Sequence, residues 1–287
     1  MHVLRRDPRQ FGIAGTRWTL NAIHQVVDWL RDLTLPAIHQ LFERLRISYK
    51  RGRDYIHSPD PDYLAKLADI ATFIDHAHHT AGRVVTLYLD EITYYRQPTL
   101  ARAYEMMGPP QPLARRSYRA NTPTRLVGTL DPRDGRVLYR QGSVIGVAEL
   151  VAFFQTVRQA YPAAEQINVV VDNWPVHFHP DVLVALVPQE NPWPQHLPAS
   201  WGTSPSATAR RKWGHLRLPI QLRPLPTYAS WTNPIEKLWR KVRQDLLHLH
   251  RMADRLEDLR KDVAQFLDQY ADGSLGLLRY VGLLVPD

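Results

Sequence analysis

Three carboxylates stand where chemistry could happen. Asp172 follows the β-branched run Ile167-Asn168-Val169-Val170-Val171 and opens the block Asp172-Asn173-Trp174-Pro175-Val176-His177. A buried strand that stops at Asp-Asn and a proline sits at a sheet's carboxyl edge, where open α/β sheets place ligands and reactions. Asp90 closes the run Val84-Val85-Thr86-Leu87-Tyr88-Leu89, and Glu236 opens a helix in Asn233-Pro234-Ile235-Glu236-Lys237-Leu238-Trp239. Each has a structural explanation of its own. Asp172 is a good turn former. Asn233, Pro234 and Glu236 read as N-cap, N1 and the closing glutamate of a capping box, contributing about 1 kcal/mol. Strand alternation leaves open whether Asp90 or its neighbour Glu91 faces a site. Brought to one sheet edge, however, the three would repel one another unless cations neutralised them, and hard oxygen ligands suit Mg²⁺ or Mn²⁺. Two such ions about 4 Å apart activate a water or a 3′-hydroxyl and stabilise the leaving oxygen in phosphodiester chemistry.

The elements that would position these groups follow from periodicity. Residues 1–16 carry no pattern and read as an arm. Thr19 caps a predicted helix with Leu20, Ile23, Val26, Val27 and Leu30 on one face. Thr34 and Pro36 start a second, striped by Ile38, Leu41, Phe42 and Leu45. Two short helices joined by a tight turn over 17–58 fit a helix-turn-helix, and Arg46, Lys50, Arg51 and Arg53 after it are placed to meet phosphates. A plain helical packing domain with a solvated basic end is the alternative. Ser58-Pro59-Asp60-Pro61-Asp62 marks a boundary. A connecting helix within 59–82 turns Leu64, Leu67, Ile70, Ile74 and Ala77 inward. It ends at Asp75, His76, His78 and His79, which are either metal ligands or a solvated terminus suited to the helix dipole.

Residues 83–287 read as one mixed α/β domain. A strand over 84–90 precedes another around Thr93-Tyr94-Tyr95, and a hairpin turns at Asp131-Pro132-Arg133-Asp134-Gly135. Then come a helix over 147–160, the strand 167–171, a short helix over 180–187, a strand over 218–222 and the helix from 233. That last helix carries Lys237, Arg240, Lys241 and Arg243, which could flank a DNA track. Between 188 and 217 lies a Pro- and Trp-rich insertion ending in Arg210-Arg211-Lys212. It suits stacking on bases and holding phosphates, or is a mobile surface insertion.

Composition narrows the partners. Lys and Arg number 36 against 28 Asp and Glu, a formal charge of +8. The resulting pI near 9.7 favours a polyanion, nucleic acid first. Cysteine is absent, which excludes disulfide frameworks and cysteine zinc fingers. No signal-peptide core or bilayer-length apolar run is present, so no membrane partner and a cytoplasmic, nucleoid-associated place are expected.

Leu89-Asp90-Glu91, Val171-Asp172-Asn173 with His177, and Asn233-Pro234-Ile235-Glu236-Lys237-Leu238-Trp239 resemble the catalytic blocks of bacterial insertion-sequence transposases in the mariner-like DDE superfamily. The stretch from Thr19 through Ser58-Pro59-Asp60 resembles the winged helix-turn-helix that precedes them there. The resemblance covers nearly the whole chain. It implies an RNase H-like mixed sheet flanked by helices and preceded by a small all-α helix-turn-helix domain. It further implies Asp90, Asp172 and Glu236 as the metal-binding triad, with Glu91, Asn173 and His177 as supporting residues. The reaction would be cut-and-paste transposition: hydrolysis at inverted-repeat ends of double-stranded DNA, then 3′-hydroxyl transfer into target DNA by a homodimer.

Two departures stand out. The interval from Asp172 to Glu236 is longer than the family's, by about the 188–217 insertion. Relatives usually carry another helix-turn-helix, so a separate or fused amino-terminal DNA-binding segment is expected. The rival readings are a catalytically inactive, domesticated DNA-binding protein and an RNase H-like structure-selective endonuclease that does not join strands.

Overall fold

A computed structural model describes residues 3–50 and 57–284. The chain divides into two compact units, Met1–Tyr55 and Ile56–Asp287.

In the first unit, 3₁₀ turns at Val3–Arg5 and Pro8–Phe11 precede α1 (Leu20–Val26), a 3₁₀ turn (Asp28–Leu30) and α2 (Leu35–Arg44). Both helices start as their sequence predicts. Thr19 accepts from the Ala22 N–H at 3.1 Å and Thr34 from the Ala37 N–H at 3.4 Å. The first helix is shorter than its apolar pattern, because the chain tightens into the 3₁₀ turn that buries Leu30 beside Ile23 and Ile38. The arm expected over 1–16 is instead part of this unit. Leu4 and Trp18 pack against that core, and the Trp18 indole N–H donates to the Arg6 carbonyl at 2.9 Å. Among the described residues the unit holds no strand to form a wing. Leu45, expected in the stripe, is 56% exposed beyond the end of α2.

The second unit opens with α3 (Tyr63–His79) and β1 (Val84–Tyr95). β1 is one continuous strand, not a strand to residue 90 and another near 93, since Asp90 through Tyr95 pair with β2 (Pro123–Leu130). β2 turns through Asp131–Gly135 into β3 (Val137–Gly142), and α4 (Val147–Ala160) leads to β4 (Gln166–Val171). After α5 (Pro180–Leu183) and α6 (Ala207–Trp213) come β5 (Ile220–Pro224), α7 (Ile235–Val242), α8 (Leu256–Asp268) and α9 (Leu275–Val281). The strand order is β3-β2-β1-β4-β5. β3, β2 and β1 are antiparallel neighbours, while β1, β4 and β5 run parallel. This is a mixed five-stranded sheet covered on both faces.

Alternation along β1 sorts its side chains between two cores. Tyr88, Ile92 and Tyr94 face the core built with α7, α8 and α9, whereas Val85, Leu87 and Leu89 face the one built with α4 and α5. Burial of these two apolar layers dominates stability.

Several expectations change here. In α3, Leu64 is 79% exposed, while Lys66 is buried against Asp60 with Nζ and Oδ2 2.7 Å apart. A cation on the inner face is tolerable only with such a partner. Asp75, His76, His78 and His79 are exposed, the solvated helix end of the two alternatives. The 188–217 insertion is tied down rather than loose. The Gln189 amide pairs with both backbone groups of Leu222 and so covers the edge strand β5. Ser206 caps α6 and also binds the Asp181 carboxylate, and Trp201 packs on His179. The helix expected over 180–187 stops at Leu183, and the last strand begins at Ile220 rather than 218.

Candidate active site

Parallel pairing of β1 with β4 ends with Tyr88 opposite Val170. Two residues beyond that pair lie Asp90, still within β1, and Asp172, just past the end of β4, so both carboxylates stand where the parallel ladder stops. Asp90 is therefore not at the end of its strand. It lies where the parallel ladder stops while β1 continues beside β2. Asp90 shares the face of Tyr88 and Ile92, the side on which α7 packs, and Glu91 takes the opposite face. This resolves the choice that alternation alone left open.

Glu236 comes from the first turn of α7. The capping box expected there is absent: Pro234 occupies the N-cap position and no side chain caps the helix. Asn233 instead donates its Nδ2 to the Leu89 carbonyl at 3.0 Å, fastening the start of α7 to β1 immediately before Asp90. Helix capping therefore no longer accounts for Glu236.

On the other face, His177 is fully buried between Glu91 and Asp172. Its Nε2 lies 2.9 Å from Glu91 Oε1 and its Nδ1 3.3 Å from Asp172 Oδ1. Burial opposes the charged ring, but the two carboxylates outweigh it and push His177 up to about 10. Both ring nitrogens thus face a carboxylate oxygen. Burial likewise raises Asp172, yet the His177 bond and charge and the Trp174 N–H, 2.9 Å away, hold it below the usual carboxylate range. Asp172 thus keeps its expected turn role as well. Asn173 points elsewhere, donating to the Leu225 carbonyl at 2.9 Å, which pins the segment after β5 to the end of β4.

Asp90 has no such cation. Burial, followed by the charges of Glu236, Glu91 and Asp172, raises its carboxyl to about 8, and the opposing Glu91 backbone N–H is not enough to offset them. Glu236 is raised as well, first by burial and then by Asp172, against the lowering effect of Arg243 and Arg240. A buried carboxyl coupled to three others is a donor set with excess negative charge and hard oxygen ligands, which fits a divalent cation of the Mg²⁺ type. Ligand atoms of Glu91, Asp172 and His177 lie within 4.8 Å of one another, the spacing of a metal site. A histidine with both ring nitrogens engaged has no lone pair for a metal, so that trio is better read as a clamp orienting Asp172.

A sequence model of the DDE superfamily endonucleases matches residues 85–260, more than half of the chain and all three carboxylates. The chain belongs to the DDE superfamily of endonucleases. Over 273 residues it is 20% identical to an insertion element IS630 uncharacterized 39 kDa protein of Shigella sonnei, spanning 93% of this chain and 68% of that one. Its fold is similar to that of the Mos1 transposase in a paired-end complex with the left transposon end, at 14% identity and a TM-score of 0.54 over 91% of this chain and 69% of that one. It is also similar to the mariner Mos1 paired-end complex with Mg, at 15% identity and a TM-score of 0.55 over 94% and 77%. The mixed sheet of this endonuclease is accordingly the RNase H-like one.

The basic residues singled out in the sequence divide by what they touch. Within α7, Lys237 Nζ is held 2.6 Å from the Val281 carbonyl. Lys241 pairs with Asp245 at 2.6 Å and lies over the Phe266 and Tyr280 rings. Both tie the helix to its neighbours. Arg240 and Arg243 are exposed and close enough to Glu236 to lower its titration. Arg210, Arg211 and Lys212 are exposed on α6, and Arg46 and Lys50 follow α2 in the open. Arg51 and Arg53 lie outside the described residues. Sequence reasoning missed Lys66, whose buried pairing is invisible without the fold. It also missed Gly128, which lies opposite Asp90 in β2.

Proposed function

We propose that this DDE-type transposase hydrolyses phosphodiesters at the inverted-repeat ends of its element and transfers the freed 3′-hydroxyls into target DNA. What supports the reading most is that burial and the mutual charge of Asp90, Asp172 and Glu236, from β1, the end of β4 and the start of α7, raise the carboxyls of Asp90 and Glu236. Asp90, Asp172 and Glu236 would hold the divalent ions, Mg²⁺ or Mn²⁺, two per site by the chemistry of phosphodiester transfer. When bound, such ions supply activation of the attacking oxygen and stabilisation of the leaving one. The protein's own part is positional. His177 fixes the Asp172 carboxylate through Nδ1 and steadies itself on Glu91, while Asn233 holds α7, and with it Glu236, against β1.

Arg240 and Arg243, beside Glu236, and Arg210, Arg211 and Lys212 would receive backbone phosphates. The residue 17–58 segment would dock on element ends, its α2 in a major groove, with Arg46, Lys50, Arg51 and Arg53 on phosphates. Two ends need two active sites, so a homodimer on DNA is part of the proposal. Work on the nucleoid agrees with the +8 charge, and among the described residues no helix is long and apolar enough to cross a membrane. The insertion-element relative and the transposon-end complexes of Mos1 support the substrate class.

The test is a joining assay. Precut, labelled element ends are incubated with a supercoiled plasmid and Mg²⁺ or Mn²⁺. Covalent joining through the 3′-ends, lost in Glu236→Gln, is expected. Cutting of intact ends without any joining would overturn the strand-transfer step and leave an endonuclease.

A further inference from the structure

Across the β1–β2 ladder, Gly128 is the residue paired with Asp90. Cross-strand partners project to the same face of a sheet, so a side chain at 128 would enter the layer between Asp90 and α7. That space is taken. A Cβ built on Gly128 falls 2.8 Å from Trp239 Cη2 and 3.2 Å from Cζ2, both on the six-membered ring of the indole, and 3.2 Å from the Leu138 carbonyl oxygen of β3. Trp239 is fully buried and its indole N–H has no hydrogen-bond partner, so shape rather than a polar bond holds the ring. It sits one turn after Glu236 on the same side of α7. The helix thus meets the Asp90 region at two points: the Asn233 bond to the Leu89 carbonyl before Asp90, and the Trp239 ring resting on bare backbone across from it.

We infer that Gly128 is a positioning residue of the active site, its missing side chain letting Trp239 seat α7 so that Glu236 reaches Asp90. This rests on the proposed role of Glu236 as a metal ligand. Carbon atoms keep about 3.5 Å in contact, so a methyl at 128 must push the ring and its helix outward by about 0.7 Å. Displacements near 1 Å cost a reacting geometry about 100-fold, and disturbing the support of a metal ligand costs about 10- to 100-fold in metal affinity.

The test measures Mn²⁺ binding to the full chain by titration calorimetry in G128A, W239F, G128A/W239F and E236Q, with circular dichroism as the folding control. G128A is expected to weaken Mn²⁺ binding about tenfold or more while leaving DNA affinity unchanged. The W239F change removes the ring atoms that clash and leaves the contact with the Leu138 carbonyl, which lies on β3 rather than α7, so in that background G128A is expected to leave Mn²⁺ affinity the same or improve it. Should G128A alone fail to fold, the W239F pair still decides. A fall in affinity on adding G128A to W239F overturns the inference, as does a folded G128A that binds Mn²⁺ like the natural protein. E236Q separates the two layers: if it binds Mn²⁺ normally, the Glu236 reading fails and takes this one with it. If E236Q loses the metal while folded G128A keeps it, only the role of Gly128 fails.

Discussion

Asp90→Asn is expected to make the metal-free protein more stable while destroying metal binding, and the size of the effect follows from the site. The Asp90 carboxyl is raised from 3.8 to about 8, first by burial and then by Glu236, Glu91 and Asp172. A carboxyl raised in the folded state contributes full stability below its unfolded value, and that contribution is lost as pH rises through the folded one. The window for Asp90 therefore runs from about pH 4 to about pH 8. An interval of about four pH units at about 1.4 kcal/mol each bounds the loss near 5 kcal/mol at pH 8, and at about 1.5 to 2 kcal/mol at pH 5. Water entering the site reduces these figures, so a measured difference of about 2 to 3 kcal/mol is expected at pH 8. The assay is urea unfolding in EDTA at pH 5, 7 and 8, comparing the natural chain with Asp90→Asn. His177 also loses its contribution with rising pH, between 6.5 and about 10, but it does so in both proteins and cancels in the comparison. The variant should gain on the natural chain steadily from pH 5 to 8, and Mn²⁺ should stabilise only the natural chain. Parallel pH profiles for the two proteins would refute the reasoning.

Other perturbations read other parts of the molecule. Lys66→Met leaves Asp60, 3% exposed at its side chain, buried without its cation, and should cost about 3 to 5 kcal/mol in urea unfolding; a loss under about 1 kcal/mol would mean the pair is wetter than its burial indicates. Arg46→Ala and Lys50→Ala should each lower the salt slope of end-DNA binding by about one, and slopes equal to that of the natural chain would place phosphate contacts elsewhere. His177→Gln should lower the cleavage rate about 10- to 100-fold through a loosened Asp172 and weaken Mn²⁺ binding in step; unchanged metal affinity would show that the clamp does not act on Asp172.

Much of this architecture was legible in the sequence because its signals are local. Thr19 and Thr34 cap their helices, the hairpin turns at 131–135, and the β-branched run from Ile167 to Val171 forms a parallel strand between two others. The positions of Asp172, just after β4, and Glu236, in the first turn of α7, were legible because a strand end and a helix start leave recognisable residue patterns. What failed depended on contacts between distant segments. Asp90 looked like a strand end because polarity rises there, yet the strand continues, since β2 pairs with it as far as Tyr95. Asn233 looked like a cap because Asn before Pro usually is one, but its amide finds the Leu89 carbonyl, 144 positions away in the sequence. Lys66 broke the apolar stripe of α3 because Asp60 and the Thr227 N–H build a polar pocket that no helical period announces. Gly128 carried no signal at all until Trp239 was seen against it.

We propose that Asp90, Asp172 and Glu236 form one metal-dependent nuclease site. Its most direct test is cleavage of labelled DNA carrying the element's own ends, with Mg²⁺ or Mn²⁺, by the natural chain and by Asp90→Asn, Asp172→Asn and Glu236→Gln. Metal-dependent cutting at the ends that disappears in all three variants, with end binding retained, is the predicted result. Cutting that survives any one of the substitutions would contradict the account.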